Sequence, residues 1–220
     1  MSDESTALVE FNPNDLSGFQ KTPIANIQAI SGSSYLGRLA LCGGSSDLVK
    51  RNKINNMHFA LIKSKDEFID LGPSVDGICI CARSKAILMV DPVQAVYDET
   101  HPFFKELVAK SAIKNSNAAY GPEYLVFIPS VEKFALFHFN SKTARREAEN
   151  MTTLISKGFT TKGKIFENSE HTWNSQVVFP CSAALKIPPR EVVQREVDKF
   201  NNPPTVETEA APAASEQQER

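Results

Sequence analysis

The sequence has few cysteines and no arrangement that would combine them with other metal ligands. Its four cysteines, at positions 42, 79, 81 and 181, include no CxxC pair and have no histidine at ligand spacing. Isolated thiols of this kind are typical of proteins that fold in a reducing compartment, where disulfides are rare. The sequence therefore predicts buried free cysteines and no metal centre.

Long apolar runs and export signals are also missing. No apolar segment approaches the roughly 20 residues that cross a bilayer. The first residues, MSDESTALVEF, contain neither a basic start nor an apolar h-region. These absences predict a cytoplasmic protein that is not exported and that has no membrane partner.

The short motifs of common catalytic sites are absent as well. The chain contains no GxSxG, HExxH or GxGxxG string and no Walker lysine. Gly43 and Gly44 follow a predicted strand, but the lysine of a phosphate-binding loop does not come after them at the required spacing. Because no pair of carboxylates stands out as an acid/base couple either, the sequence predicts a protein without catalytic residues and without a cofactor.

Charge is unevenly distributed along the 220 residues. The formal net charge is −2, but residues 1–20 carry −4 and residues 203–220 carry −3, which leaves +5 on residues 21–202. The terminal segment 203–220 is rich in Ala, Glu and Pro and is predicted to be disordered. We therefore expect a loose lead-in over 1–20, a single domain over 21–202 and a disordered acidic tail. A basic body favours a polyanionic partner, although acidic ends can also serve solubility alone.

Apolar periodicity predicts a mixed α+β domain. The predicted elements are strands at 35–42, 57–62 and 78–90, a helix at 101–114, a hairpin at 124–129 and 133–139, a helix at 141–158, a second hairpin at 159–168 and 172–180, and a helix at 189–200. Asp76 and Gly77 are predicted to form the turn that enters the strand at 78–90, and the last helix is predicted to bury Val193, Val197 and Phe200. This order is that of an OB-like, five-stranded Greek-key barrel with an inter-strand helix, to which an extra helix and a C-terminal helix are added. Many other α+β domains share the same order of elements.

The helix predicted at 141–158 has Ser141 as its N-cap and Gly158 as its stop signal, and its buried stripe is Ala144, Ala148, Met151 and Ile155. It opens with three cations. Lys142, Arg145 and Arg146 lie in its first turns, where the helix dipole and the unpaired N–H groups already favour an anion. A phosphate bound at this end would make the arrangement favourable. The alternative for Arg145 is an ordinary ion pair with Glu149, one turn further along the helix.

The strand predicted at 159–168 places two cations and an aromatic ring on one face. Lys162, Lys164 and Phe166 alternate along the strand and therefore share that face. Proteins that bind single-stranded nucleic acids use the same combination, because cations follow the phosphates while a ring stacks on a base. The alternative is an exposed edge strand that lysines protect against aggregation.

Two further aromatic residues are candidates for stacking on a base. Trp173 lies on the facing strand among apolar residues, which favours core packing over stacking. Tyr124 stands near a strand entrance beside Gly121 and Pro122, where a tyrosine can remain hydrated. The predicted nucleic-acid contacts are Lys142, Arg145, Arg146, Lys162, Lys164, Phe166, Trp173 and Tyr124.

Four strings, GPEYLVFIPS, SKTARREAENM, TWNSQVVFPCS and KFNNPP, occur within residues 121–204. Together they resemble a largely uncharacterised family of bacteriophage-encoded proteins that is associated with single-stranded DNA binding, and the resemblance covers most of residues 35–204. It implies a protein of phage DNA replication or recombination in the host bacterial cytoplasm, with phage replication proteins as possible partners and a homo-oligomer as an open possibility. The chain ends in Gln-Gln-Glu-Arg rather than in a dense acidic stretch closed by an aromatic residue, which argues against recruitment of partner enzymes through the tail.

The sequence leaves three functions open. The leading one is sequence-tolerant binding of single-stranded DNA on an OB-like barrel, without catalysis. The second is a phage structural or assembly protein whose basic patch meets an acidic protein partner. The third is a small enzyme of nucleotide metabolism, which would need a converging polar pocket that the sequence does not indicate.

Overall fold

The computed structural model describes most of the predicted domain. The described residues are 7–16, 19, 27–30, 36–64, 66–90, 93–113 and 115–202. The predicted acidic tail at 203–220 lies outside this part, as do residues 1–6 of the predicted lead-in and Tyr35 of the first predicted strand.

The described residues form twelve strands and four helices. The strands are β1 (Val9–Glu10), β2 (Ile27–Ile30), β3 (Gly37–Cys42), β4 (His58–Ile62), β5 (Phe68–Gly72), β6 (Ser74–Leu88), β7 (Val93–Val96), β8 (Ala118–Ile128), β9 (Lys133–His138), β10 (Lys157–Glu167), β11 (Thr172–Pro180) and β12 (Lys186–Ile187). The helices are α1 (Asp47–Lys50), α2 (Pro102–Ser111), α3 (Lys142–Thr153) and α4 (Arg190–Asn201). Both predicted hairpins and the three predicted helices are confirmed. No helix within the described ranges combines the length and the apolar character that a bilayer crossing requires.

Ten of these strands form one strongly curled sheet. Its main path runs β11-β10-β6-β8-β9-β3-β4-β5, and β7 pairs with both β2 and β6. The pairing of β3 with β9 is parallel, whereas the neighbouring pairs of β3–β4 and β8–β9 are antiparallel. The predicted mixture of helices and sheet is therefore confirmed, but a five-stranded OB barrel is not.

Strand β6 connects the two halves of the sheet. Its first half pairs with β10, its second half pairs with β7, and β8 runs along most of its length. Asp76 and Gly77, predicted to form the turn before this strand, lie inside it. Gly77 is needed there because a Cβ atom at this position would lie 2.7 Å from the ring of Phe159.

Helix α3 packs against one face of the sheet. Of the predicted stripe, Ala144, Ala148 and Met151 are buried in a cluster that includes Tyr124 and Val126 of β8, whereas Ile155 lies beyond the end of the helix and is partly buried against the same cluster. The spacing of these three residues places them along one side of the helix. The helix therefore contributes directly to the main core.

The C-terminal end of α3 differs from the prediction. The helix ends at Thr153, whereas Gly158 was expected to be its stop signal. Ser156 adopts a positive φ of 62°, and Gly158 already belongs to β10. A serine in the left-handed region thus reverses the chain where a glycine is the usual choice.

Helix α4 and the N-terminal segment cover the opposite face of the sheet. The helix buries Val193, Val197 and Phe200, as predicted. These residues share a cluster with Leu125, which alternates with Tyr124 along β8 and so faces the other way. Leu16 and Phe19 join the same cluster. The described part of the segment expected to be a loose lead-in therefore packs against the core.

The cysteines are free thiols, as predicted. Three of them are buried, and Cys181 is partly exposed. Burial raises the pKa of Cys79 well above its ordinary value and raises the pKa of Cys81 to about 12. Because the thiolate is the reactive form of cysteine, these two residues serve as packing groups at neutral pH.

Candidate nucleic-acid interface

The hairpin of β10 and β11 has one side that faces solvent. Its register pairs Phe166 with Trp173, and cross-strand partners lie on the same face of a sheet. Lys162 and Lys164 alternate with Phe166 on this face, and both lysines are exposed. Gly163 lies on the other face, against the body of the protein, where a Cβ atom would be 2.8 Å from Met57 Cε. We call this side of the hairpin the outer hairpin face; it is exposed along β10 and at both ends of β11, whereas Ser175 in the middle of β11 is buried.

Two aromatic rings stack on each other at one end of this outer hairpin face. The centroids of the Phe166 and Trp173 rings are 6.0 Å apart, and their planes differ by 13°. Lys164 Nζ lies 5.3 Å from the centroid of the Phe166 ring. Trp173 is 37 % exposed, so the core position favoured by its apolar neighbours in the sequence is wrong. The exposed ring, Trp173, is accessible to a ligand, whereas Phe166 is half-buried.

Helix α3 lies alongside β11, and hydrogen bonds connect the two elements. Trp173 Nε1 donates to Thr143 Oγ1 at 2.9 Å. One turn further along the helix, Glu147 Oε2 accepts a hydrogen bond from the backbone amide of Val178 at 3.2 Å. Ser141 is the predicted N-cap, and its hydroxyl accepts from the Ala144 amide. The start of α3 and the outer hairpin face are therefore neighbours.

Arg145 is held by the protein itself. Its Nη1 donates to the carbonyl oxygens of Asn140 at 2.8 Å and of Tyr120 at 3.2 Å. The guanidinium group also lies 4.1 Å from the centroid of the Tyr120 ring. Among the described ion pairs there is none between Arg145 and Glu149, so the expected helix pair is not formed. Arg145 points toward the start of β8 rather than toward the hairpin, which removes it from the predicted interface.

Lys142 and Arg146 remain exposed at the start of α3. Within the described part of the chain, neither forms an ion pair with a carboxylate. Both belong to the first turns of the helix, where the unpaired N–H groups create a positive potential. These two cations therefore lie beside the Trp173 end of the hairpin, and no carboxylate among the described residues forms an ion pair with them.

The different surroundings of Arg145 and Arg146 predict different effects on stability. We expect Arg145→Ala to lower the free energy of unfolding by about 1.5–3 kcal/mol, because charged hydrogen bonds to two carbonyl groups are lost. Arg146→Ala should change it by less than about 0.5 kcal/mol, since an exposed cation is removed from the positive end of a helix. Urea unfolding of both variants measures the difference. An equal loss in the two variants would contradict the roles assigned here.

Tyr124 does not belong to the interface, although it was a predicted contact. Its exposed fraction is 0 %, and its hydroxyl donates to the Ala148 carbonyl oxygen at 2.9 Å and lies 2.8 Å from Thr152 Oγ1. Burial raises the pKa of this hydroxyl to about 12. Tyr124 therefore fastens α3 to β8 and cannot stack on a base.

A cleft of about 400 Å³ adjoins Lys142, between the end of α2 and the start of α3. It is lined by Ser111, Ala112, Ala118, Ala119, Asn140, Ser141, Lys142 and Arg145. Neither a carboxylate nor an imidazole is among these lining residues. The cleft therefore adds no support for the enzyme of nucleotide metabolism, which needs an acid or a base in its pocket.

A buried ionic cluster that no sequence motif indicated lies on the α4 side of the sheet. Glu123 of β8 is 1 % exposed and Arg83 of β6 is 4 % exposed. Arg83 Nε and Nη2 donate to Glu123 Oε2 at 2.8 and 2.6 Å, and Lys85 Nζ donates to Oε1 at 2.6 Å. Burial opposes the ionisation of Glu123, but Lys85 and Arg83 outweigh it and hold the pKa of the carboxyl well below its usual range. The signal for this cluster in the sequence is the presence of charged residues inside the two long apolar strands β6 and β8.

The same cluster holds the end of α4. Arg83 Nη1 donates to the Phe200 carbonyl oxygen. Its guanidinium lies between two rings, 4.0 Å from the centroid of Tyr97 and 4.1 Å from that of Phe200. Because the charges of Arg83 and Glu123 are satisfied by protein groups, the cluster is a structural support for α4 rather than a ligand site.

His138 lies beside this cluster and predicts a pH dependence of stability. It is the cross-strand partner of Glu123, and its Nε2 is buried with no hydrogen-bond partner among the described residues. Burial, reinforced by the charge of Lys85, lowers its pKa to about 4. An unfolded histidine titrates near pH 6.5, so the unfolded chain binds a proton between about pH 6.5 and 4 that the folded chain does not.

The stability supplied by neutral His138 is therefore complete above about pH 6.5 and is lost as the pH falls toward 4. The loss amounts to about 3 kcal/mol, at 1.36 kcal/mol for each unit of pKa difference. Urea unfolding at pH 7 and pH 4.5 measures it, and His138→Phe should remove this part of the dependence. A dependence that is unchanged by the substitution would show that other groups cause it.

Comparisons with protein-family models, with curated proteins and with solved structures find no match. The resemblance to a phage family therefore stays a prediction. No group of three or more His, Cys, Asp or Glu side chains in the described ranges is placed to hold a metal ion. The hairpin and the start of α3 are accordingly the features of the molecule that bear on function.

Proposed function

We propose that this protein binds single-stranded DNA, without catalysis, on the outer hairpin face and the exposed start of α3. The observation that carries the proposal is the accessible stacked pair of Phe166 and Trp173, on the same face as Lys162 and Lys164. Rings of this kind stack on any base, because every base has a π-face, and cations follow the phosphate backbone. The binding is therefore expected to tolerate different sequences.

Four exposed cations lie on the outer hairpin face or at the start of α3 and would contact phosphates. They are Lys142, Arg146, Lys162 and Lys164. Lys142 and Arg146 also lie where the positive end of α3 favours a phosphate. Without Arg145 and Tyr124, the proposed contacts lie on the outer hairpin face and at the start of α3. The hydrogen bond between Trp173 and Thr143 connects these two parts.

We also propose how the sheet is used for binding and in which biological setting the protein acts. The curled sheet would serve as an OB-like barrel does, with one sheet face given to the oligonucleotide. The strings that resemble the phage family support a role in phage DNA replication or recombination in the host bacterial cytoplasm. In that setting the partners would be single-stranded DNA and phage replication proteins.

Titration with labelled oligo-dT at two salt concentrations, followed by fluorescence anisotropy, tests the proposal. Each phosphate contact contributes about −0.7 to the log–log salt slope on single strands, so four contacts predict a slope near −3. Trp173 is the one tryptophan in the chain, and its emission should be quenched when a base stacks on it. Weak binding with no salt dependence and unchanged emission would exclude this function.

A matched pair of charge variants identifies the surface. Lys162→Ala combined with Lys164→Ala should reduce the magnitude of the salt slope by about 1.4. Lys105→Ala combined with Lys133→Ala removes the same charge from exposed positions on other elements and should leave the slope unchanged. Equal effects of the two pairs would indicate attraction by overall charge rather than contact with the hairpin.

A phage structural or assembly protein is the second candidate function. Ile165 favours it, because this residue is 59 % exposed on the opposite side of the same strand and has no use in the proposed DNA contact. In this case the basic patch would meet an acidic protein partner. The molar mass from light scattering and the presence of the protein in purified virions separate the two candidates.

A further inference from the structure

The outer hairpin face carries a second exposed ring at its other end. Phe179 is 50 % exposed and is paired in register with Thr160 of β10. Trp173 and Phe179 are six positions apart on β11, so both side chains lie on the same face. At about 3.3 Å per residue, the two positions are about 20 Å apart.

The positions between these two rings are cationic on the neighbouring strand. Lys164 is paired in register with Ser175, which is buried, and Lys162 is paired with Val177, which is half-buried. The exposed positions between the two rings are therefore those of the lysines on β10. Both lysines are exposed and have no carboxylate partner among the described ion pairs. Along one face, the hairpin therefore has a ring pair, two cations and another ring. A chain that alternates flat apolar bases with negative phosphates complements this order.

We propose that Phe179 is a second base-stacking position, so that a single DNA strand lies along the hairpin and contacts a ring at each end. This inference rests on the proposed function and extends it by giving the bound strand a path and a length. At 3.4 Å per nucleotide of a stacked strand, 20 Å corresponds to about six nucleotides. An extended strand would cover the distance with fewer.

Two carboxylates near this end of the face constrain the path of the strand: Asp76, which is in register with it, and Glu147, whose Oε2 accepts from the Val178 amide beside Phe179. Asp76 of β6 is the cross-strand partner of Thr160, and its Oδ1 accepts a hydrogen bond from Thr160 Oγ1 at 2.6 Å. Asp76 and Phe179 lie on opposite sides of β10, because β10 is the strand between β6 and β11. A base over Phe179 therefore lies toward β11, while the phosphates follow the lysines of β10.

Moving the only tryptophan tests the inference directly. The variant Trp173→Phe with Phe179→Trp keeps an aromatic ring at both positions and places the fluorescent one at position 179. We expect its emission to be quenched by saturating dT10, as that of the unmodified protein is at position 173. If dT10 quenches the unmodified protein but leaves the emission of the tryptophan at position 179 unchanged, the inference is overturned. The proposed function then remains intact.

Affinity provides the second measurement. Phe179→Ala should weaken dT10 binding by about five- to 150-fold, the range of one lost stacking contact. Phe179→Leu should weaken binding to a comparable extent, because leucine has no π-face. Ile113→Ala, at a 65 % exposed position after α2, is the matched control and should bind normally. Full affinity in Phe179→Leu would show apolar packing instead of stacking and would overturn the inference. If the unmodified protein does not bind dT10, the proposed function and this inference fail together.

Discussion

Trp173→Ala is expected to weaken the binding of oligo-dT by about five- to 150-fold, because one lost stacking contact costs about 1–3 kcal/mol. Trp173 offers the accessible ring, and the Phe166 ring stacks on it with a centroid distance of 6.0 Å. Adding Phe166→Ala should weaken binding further, since the supporting ring is also removed. Anisotropy titrations at a fixed low salt concentration measure both steps.

Two control variants separate stacking from general damage to the hairpin. Ile165→Ala removes an apolar side chain that is 59 % exposed on the other side of β10, and it should bind oligo-dT normally. Trp173→Phe keeps a ring but loses the hydrogen bond from Nε1 to Thr143, so it should retain most of the affinity. A Trp173→Phe variant as weak as Trp173→Ala would assign the effect to the position of α3 rather than to stacking.

Glu123→Gln is expected to lower the free energy of unfolding by about 3–5 kcal/mol, the range for breaking a buried ion pair from one side. Glutamine has no negative charge, so the Arg83 guanidinium and the Lys85 ammonium would lose their shared counter-charge. Because the pKa of Glu123 is held below its usual range, this stabilisation is present above the unfolded pKa of about 4.3 and is lost as the pH falls below it. Urea unfolding at pH 7 measures the effect.

An exposed ion pair provides the control for this substitution. Glu67 accepts a hydrogen bond from Lys63 at 3.0 Å, and its side chain is 64 % exposed. Glu67→Gln should change the free energy of unfolding by no more than about 1 kcal/mol. A variant with Arg83→Met, Lys85→Met and Glu123→Leu should lose less stability than Glu123→Gln, because it leaves no buried charge unpaired. Equal losses from Glu67→Gln and Glu123→Gln would show that the buried cluster contributes little.

The sequence alone was sufficient to predict those helices and strands whose signal is local. Both hairpins follow from alternating apolar residues on either side of a short turn, and α3 follows from its Ser141 cap and its buried stripe. Strand β5 was missed because the short segment Phe68–Gly72 becomes a strand by pairing with β4. Pairing between distant strands leaves little trace in any one segment, so the order of the ten-stranded sheet could not be predicted.

The candidate site was predictable to a similar extent. Alternation alone placed Lys162, Lys164 and Phe166 on one side of a strand, and the described register agrees with this arrangement. The expectations for Trp173 and Tyr124 were reversed, because the sequence does not reveal which strand is covered on both faces. Tyr124 lies on β8 in the middle of the sheet, whereas Trp173 lies on β11 at its edge.

The electrostatic assignments failed for a different reason. Arg145 is held by two backbone carbonyl groups, and such partners cannot be recognised from residue types. Arg83 and Glu123 are 40 residues apart in the chain, and only the register between β6 and β8 brings them together. Cations that look equivalent in a sequence can therefore differ completely in their availability to a ligand.

The contact between Glu147 and the Val178 amide has a consequence for how copies of this protein can associate. A strand at the rim of a sheet normally offers unpaired amides that another polypeptide can use to extend the sheet. Here a carboxylate from α3 already occupies one of those donors. A second molecule that added a strand at that point would first have to displace the Glu147 carboxylate, which opposes extension of the sheet through β11 at Val178.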